Sequence, residues 1–144
     1  HIGAWGGSMG AVTMIRATAH YPEIEALVAD SPYATLEEEM DIQVPFPVMR
    51  PLIRFFAERK SGVTLDRVRP VDDIGQISPR PVFLIQGMRD GMVPLDSGQR
   101  LYEAAGEPRQ LWLEDDVPHL SMYFRFKEKY TERVIHFFDE YLLK

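Results

Sequence analysis

Apolar residues in this chain form two kinds of run. Ile2–Trp5, Ala26–Ala29, Val82–Ile85 and Gln110–Leu113 are short and nearly continuous. Continuous apolar strands, unlike alternating ones, are buried on both faces, as in a parallel sheet covered by helices. Between and after them, apolar residues recur every three or four positions. That spacing predicts a helix ending near His20, a second from about Asp96 to Ala105, and a long terminal helix from about Ser121 to Leu143. The last carries Tyr123, Phe126, Tyr130, Val134, Phe137, Phe138 and Tyr141, one apolar stripe read as core. Strands alternating with helices define an α/β class: a parallel sheet of about four strands with helices on both faces.

Residues 34–78 break the alternation with a long stretch that contains no predicted strand. It opens on Thr35-Leu36-Glu37-Glu38, which fits a capping box and a helix start. Pro45, Pro47 and Pro51 then rule out a single long helix. So long and apolar a connection covers something. Two roles are open, a crossover packed on the sheet and a cap lining a substrate pocket.

The 144 residues suit one domain, with sixteen basic and twenty-two acidic side chains and a net charge of −6. That balance argues against a nucleic-acid partner, which needs a basic face. The absence of cysteine removes disulfides, thiolate catalysis and cysteine-bound metals. Apolar runs such as Val82–Ile85 are strand-sized and far short of the roughly 20 residues of a membrane span. No signal peptide is visible, and a cytoplasmic location is the expectation. The chain starts abruptly at His1 with a strand, so further sequence is expected upstream.

Gly6-Gly7-Ser8-Met9-Gly10 matches G-x-S-x-G between a predicted strand and a predicted helix, the setting of a nucleophile elbow. In so sharp a turn, side chains two residues either side of Ser8 would collide with backbone, which Gly6 and Gly10 would relieve. The helix start directs N–H groups toward a developing oxyanion. A serine nucleophile needs a base, and the base needs an acid to orient it. Of four histidines only His119 lies in a loop after a strand, in Asp115-Asp116-Val117-Pro118-His119. Asp90 follows the third strand, and Asp30, which ends the second, is the alternative acid. Parallel strands bring their C-terminal ends to one edge, where Ser8, Asp90 and His119 would meet. Asp115 and Asp116 read as solvated loop carboxylates.

The order Ser8, Asp90, His119 resembles that of the α/β-hydrolase superfamily. The segment Pro81–Gly87 with Asp90 and Val93-Pro94, and Ala29-Asp30-Ser31-Pro32-Tyr33, are similar to bacterial hydrolases related to the prolyl oligopeptidase and dienelactone hydrolase groups. The resemblance implies that these residues are the C-terminal half of the domain, strands five to eight of eight. The backbone N–H of Met9 would be one oxyanion donor, and the other would come from the missing half. Gln86 stands where a histidine is common. The implied activity is a cofactor-free, metal-free serine hydrolase cleaving an ester, thioester or small amide of a small-molecule acyl substrate. Alternatives are a prolyl-oligopeptidase-type peptidase and a truncated, non-catalytic binding or structural module. The first strand is expected to be an open edge that promotes self-association.

Overall fold

The computed structural model describes residues 1–143. Strand β1 (Ile2–Gly7) is followed by helix α1 (Met9–His20) and β2 (Ile24–Asp30). The long connection holds α2 (Leu36–Gln43), α3 (Arg50–Ser61) and a four-residue turn of helix, α4 (Pro70–Asp73). Then come β3 (Val82–Gly87), α5 (Ser97–Ala104), β4 (Arg109–Glu114), α6 (Met122–Arg125) and α7 (Lys127–Leu142). All pairings are parallel and the strand order is β1-β2-β3-β4. No helix among the described residues is long and apolar enough to cross a membrane.

Strand alternation sorts the core into two layers. Leu27 and Ala29 of β2 and Val82 and Leu84 of β3 face α1, α5 and the 3-10 turn at Ile74–Ile77. Val28, Phe83 and Ile85 face Met122 of α6 and Tyr130 and Phe137 of α7. The continuous apolar pattern holds for the two inner strands, where all six residues of β3 are buried. It fails for β1 and β4, whose residues are largely half-exposed or exposed, because each has one strand neighbour.

The terminal helix differs from its prediction. It breaks at Phe126, which leaves helical geometry at φ −131, ψ 44. The break seats Met122 in the core and sets the Phe126 ring 6.2 Å from Trp112. The stripe is otherwise core, with Tyr123 at its exposed end edge-on to Tyr130.

The long connection contains no strand and divides in character. Thr35 caps α2, accepting from the Glu38 N–H and donating its hydroxyl to the Glu38 carboxylate. Downstream, Leu65, Val68, Ile74 and Ile77 are buried, as a crossover requires. Helices α2 and α3 bury no residue, and Phe46, Val48, Leu52, Phe55 and Phe56 lie exposed.

Candidate functional site

Register places Gly7 opposite Asp30, Asp30 opposite Ile85, and Gly87 opposite Glu114. The segments that leave β1 to β4 therefore emerge along one edge of the sheet. Ser8 turns there with φ 53 and ψ −123, a region unfavourable to a residue bearing a Cβ. Its N–H donates to the Asp30 carbonyl at 2.8 Å. Gly6 makes the turn possible: a Cβ there would lie 2.5 Å from the Gly10 carbonyl oxygen. The matching expectation for Gly10 needs correction. A Cβ at Gly10 would meet nothing within 4 Å, so the crowding falls on Gly6 alone.

Ser8, His119 and Asp90 come together. Oγ of Ser8 lies 2.9 Å from Nε2 of His119, and Nδ1 of His119 lies 2.6 Å from Oδ2 of Asp90. An ionised carboxylate only accepts hydrogen bonds, so Nδ1 carries the proton and Nε2 accepts from the Ser8 hydroxyl. The Asp90 side chain is fully buried. Its second oxygen accepts the backbone N–H groups of Met92 and Val93 at 2.9 and 3.0 Å, which fixes the carboxylate in its loop. The hydrogen bond to Asp90 raises the His119 pKa above its ordinary value. Burial opposes this, and the charges of Asp90, Glu39 and Asp30 add to the rise.

Asp30 does not bond His119. Its oxygens accept from the Ser31 and Tyr130 hydroxyls, both at 2.9 Å, and burial raises its pKa. Asp115 and Asp116 are exposed, and Asp116 pairs with Arg89 at 2.9 Å. His1 pairs with Glu25, and His20 bonds the Arg16 carbonyl. Met9 opens α1, where a first-turn N–H has no intrahelical acceptor. Among the described residues no three His, Asp or Glu side chains gather as a metal-ligand set.

Three further participants are not evident from sequence. Gln86 is wholly buried, accepting from the Gly98 N–H at 2.6 Å and donating to the Pro94 carbonyl at 3.2 Å. It thereby ties the loop after Asp90 to the start of α5. Tyr130 is one of seven residues in an apolar stripe, and nothing in that stripe marks its hydroxyl. Glu39 on α2 has one carboxylate oxygen buried without a hydrogen-bond partner, and burial raises its pKa.

The sequence profile of the prolyl oligopeptidase family matches residues 1–144. The chain belongs to that family. An uncharacterized Bacillus subtilis protein, YqkD, is 30% identical over 146 aligned positions, covering 96% of this chain and 48% of its own length. The solved structure of a Pyrococcus furiosus esterase, Pf2001, superposes with a TM-score of 0.77 at 29% identity, over 98% of this chain and 54% of its own. A 2,6-dihydroxy-pseudo-oxynicotine hydrolase superposes with a TM-score of 0.74 at 19% identity, a likeness of fold alone. This chain thus has the α/β-hydrolase fold and spans about half the length of YqkD and of Pf2001.

Proposed function

We propose that the protein is a serine hydrolase of carboxylic esters, with Ser8 as nucleophile, His119 as general base and acid, and Asp90 as the group that orients the imidazole. The observation that carries this reading is the unbroken hydrogen-bonded chain Ser8–His119–Asp90. Oγ of Ser8 attacks the ester carbonyl carbon as its proton passes to Nε2 of His119. The tetrahedral oxyanion forms beside the N–H of Met9, with a second donor supplied from outside these 144 residues. Collapse breaks the bond to the alcohol oxygen, which takes the proton from His119 and leaves an acyl-serine. Water then attacks the acyl carbon and gives its proton to His119. The acid departs and Ser8 recovers its proton.

The experiment is to treat the full-length protein with a fluorophosphonate probe and assay it on p-nitrophenyl acetate and butyrate, beside Ser8→Ala. Labelling and hydrolysis that both vanish in the variant are the expected result. Equal activity in Ser8→Ala would overturn the reading.

The family match supports a second reading, a peptidase using the same three residues. The likeness to the Pf2001 esterase at 29% identity favours the first. Peptide p-nitroanilides cleaved faster than p-nitrophenyl esters of similar acyl groups would favour the second.

A further inference from the structure

Three strained turns converge on one buried residue. Ser8, Ser31 and Leu120 have φ of 53, 52 and 53, and none is glycine. Such backbone persists only where surrounding bonds over-determine it. Ser8 donates its N–H to the Asp30 carbonyl at 2.8 Å. Ser31 donates its hydroxyl to Oδ1 of Asp30 at 2.9 Å and its N–H to the Ile85 carbonyl at 2.7 Å. Leu120, which follows His119, donates its N–H to Oγ of Ser31 at 3.3 Å. Oδ2 of Asp30 accepts from the Tyr130 hydroxyl, whose oxygen accepts from Nε1 of Trp5, both at 2.9 Å.

The direction of each bond is fixed. An indole N–H only donates, so the Tyr130 proton points to Asp30. Ser31 receives the Leu120 N–H and gives its own proton to Oδ1 of Asp30. Both oxygens of Asp30 accept, the pattern of an ionised carboxylate, at a residue only 2% exposed.

We propose that Asp30 is a positioning residue for the Ser8–His119 pair, its main chain holding the Ser8 turn and its carboxylate, through Ser31, holding the turn just after His119. The inference rests on reading Ser8 and His119 as nucleophile and base. It gives the alternative acid of the sequence a different task, because Asp30 touches neither reacting group with its side chain. It also places a negative charge near the imidazole. The charged groups acting on His119 are Asp90, Glu39 and Asp30, and those acting on Asp30 are His119 and Asp90, with Tyr130 and Ser31 as its hydrogen-bond donors.

The test uses the full-length protein and two variants, Asp30→Asn and Ser31→Ala, compared with wild type in kcat, KM, pH profile and melting on p-nitrophenyl butyrate. Asp30→Asn should lower kcat about 10- to 100-fold, the scale of a misplaced reacting group, with KM little changed. The acidic limb of kcat/KM should move to lower pH, because His119 loses a charge that favours its protonation. Ser31→Ala should also lower kcat but leave the limb in place, because the carboxylate stays. A folded Asp30→Asn protein with wild-type kcat and an unmoved limb would overturn the proposal, whatever its melting temperature. If Asp30→Asn does not fold, Ser31→Ala decides, and unchanged kcat there overturns it. Fluorophosphonate labelling separates the two layers. Labelling that persists in Ser8→Ala breaks the underlying reading. Labelling lost in Ser8→Ala but of wild-type rate in both other variants breaks only this inference.

Discussion

The Asp90 carboxylate meets Nδ1 of His119 at 2.6 Å, with its other oxygen clamped by the N–H groups of Met92 and Val93. Asp90→Asn keeps the shape but offers an amide that can donate to Nδ1, which places the ring proton on Nε2, where it cannot accept from Ser8. The expected loss in kcat is about 10⁴-fold, the scale seen for this change in other triads. Ester hydrolysis by the purified variant checks it, and loss under tenfold would show that Asp90 does not set the tautomer.

The same contact gives a pH dependence. The pKa of His119 is raised above its ordinary 6.5, so the folded chain holds this proton more tightly than the unfolded one. The stabilisation from this group is therefore complete below pH 6.5 and is lost as pH rises through the folded value. Activity runs the other way, because the base must be neutral. kcat/KM should rise through an apparent pKa above 6.5, measured on p-nitrophenyl butyrate. A limb centred below 6.5 would contradict the assigned environment.

Gly6 and Gly10 should part company. A Cβ at Gly6 strikes the Gly10 backbone, and Gly6→Ala should cost about 1–3 kcal/mol or more, as overpacking does. Gly10 sits in the first turn of α1 with open space around it, so Gly10→Ala should fall within about 1 kcal/mol of wild type, on the stabilising side. Urea denaturation of both variants checks the contrast, and equal destabilisation would refute it.

Gln86 serves two backbone groups, the buried Gly98 N–H and the half-buried Pro94 carbonyl. Gln86→Leu would strand the Gly98 N–H, while the Pro94 carbonyl keeps the Ser97 N–H at 3.0 Å. A loss of about 1–3 kcal/mol in chemical denaturation, the cost of one unsatisfied buried donor, is the expected outcome. A neutral result would mean that the loop re-satisfies the Gly98 N–H.

Among the described residues the outer edge of β1 is unpaired, with Ile2 and Trp5 about half exposed. Open apolar edges recruit other strands. The 144 residues alone should associate in light scattering, and Ile2→Lys should shift them toward monomer. A monodisperse monomer at high concentration would count against this.

The sequence alone determined the class, the strand order along the chain and where the candidate site would lie. Each of these is written locally: apolar runs of strand length, helical spacing, and G-x-S-x-G at a strand–helix turn. His119 could be chosen because its rivals fall at the terminus or in helices, and the C-terminal edge of a parallel sheet supplied the meeting place. Other questions depended on contacts between residues far apart in the chain, which no local pattern encodes. Asp30 ends one inner strand and Asp90 follows the other, and only the packed structure shows that Asp90 reaches His119 while Asp30 turns to Ser31 and Tyr130. The Tyr130 hydroxyl is hidden in an apolar stripe, because helical periodicity records which face is buried and not what its polar tip meets. The break at Phe126 and the exposed α2–α3 arm likewise follow from which neighbours a residue finds, and that is decided only when the chain has folded.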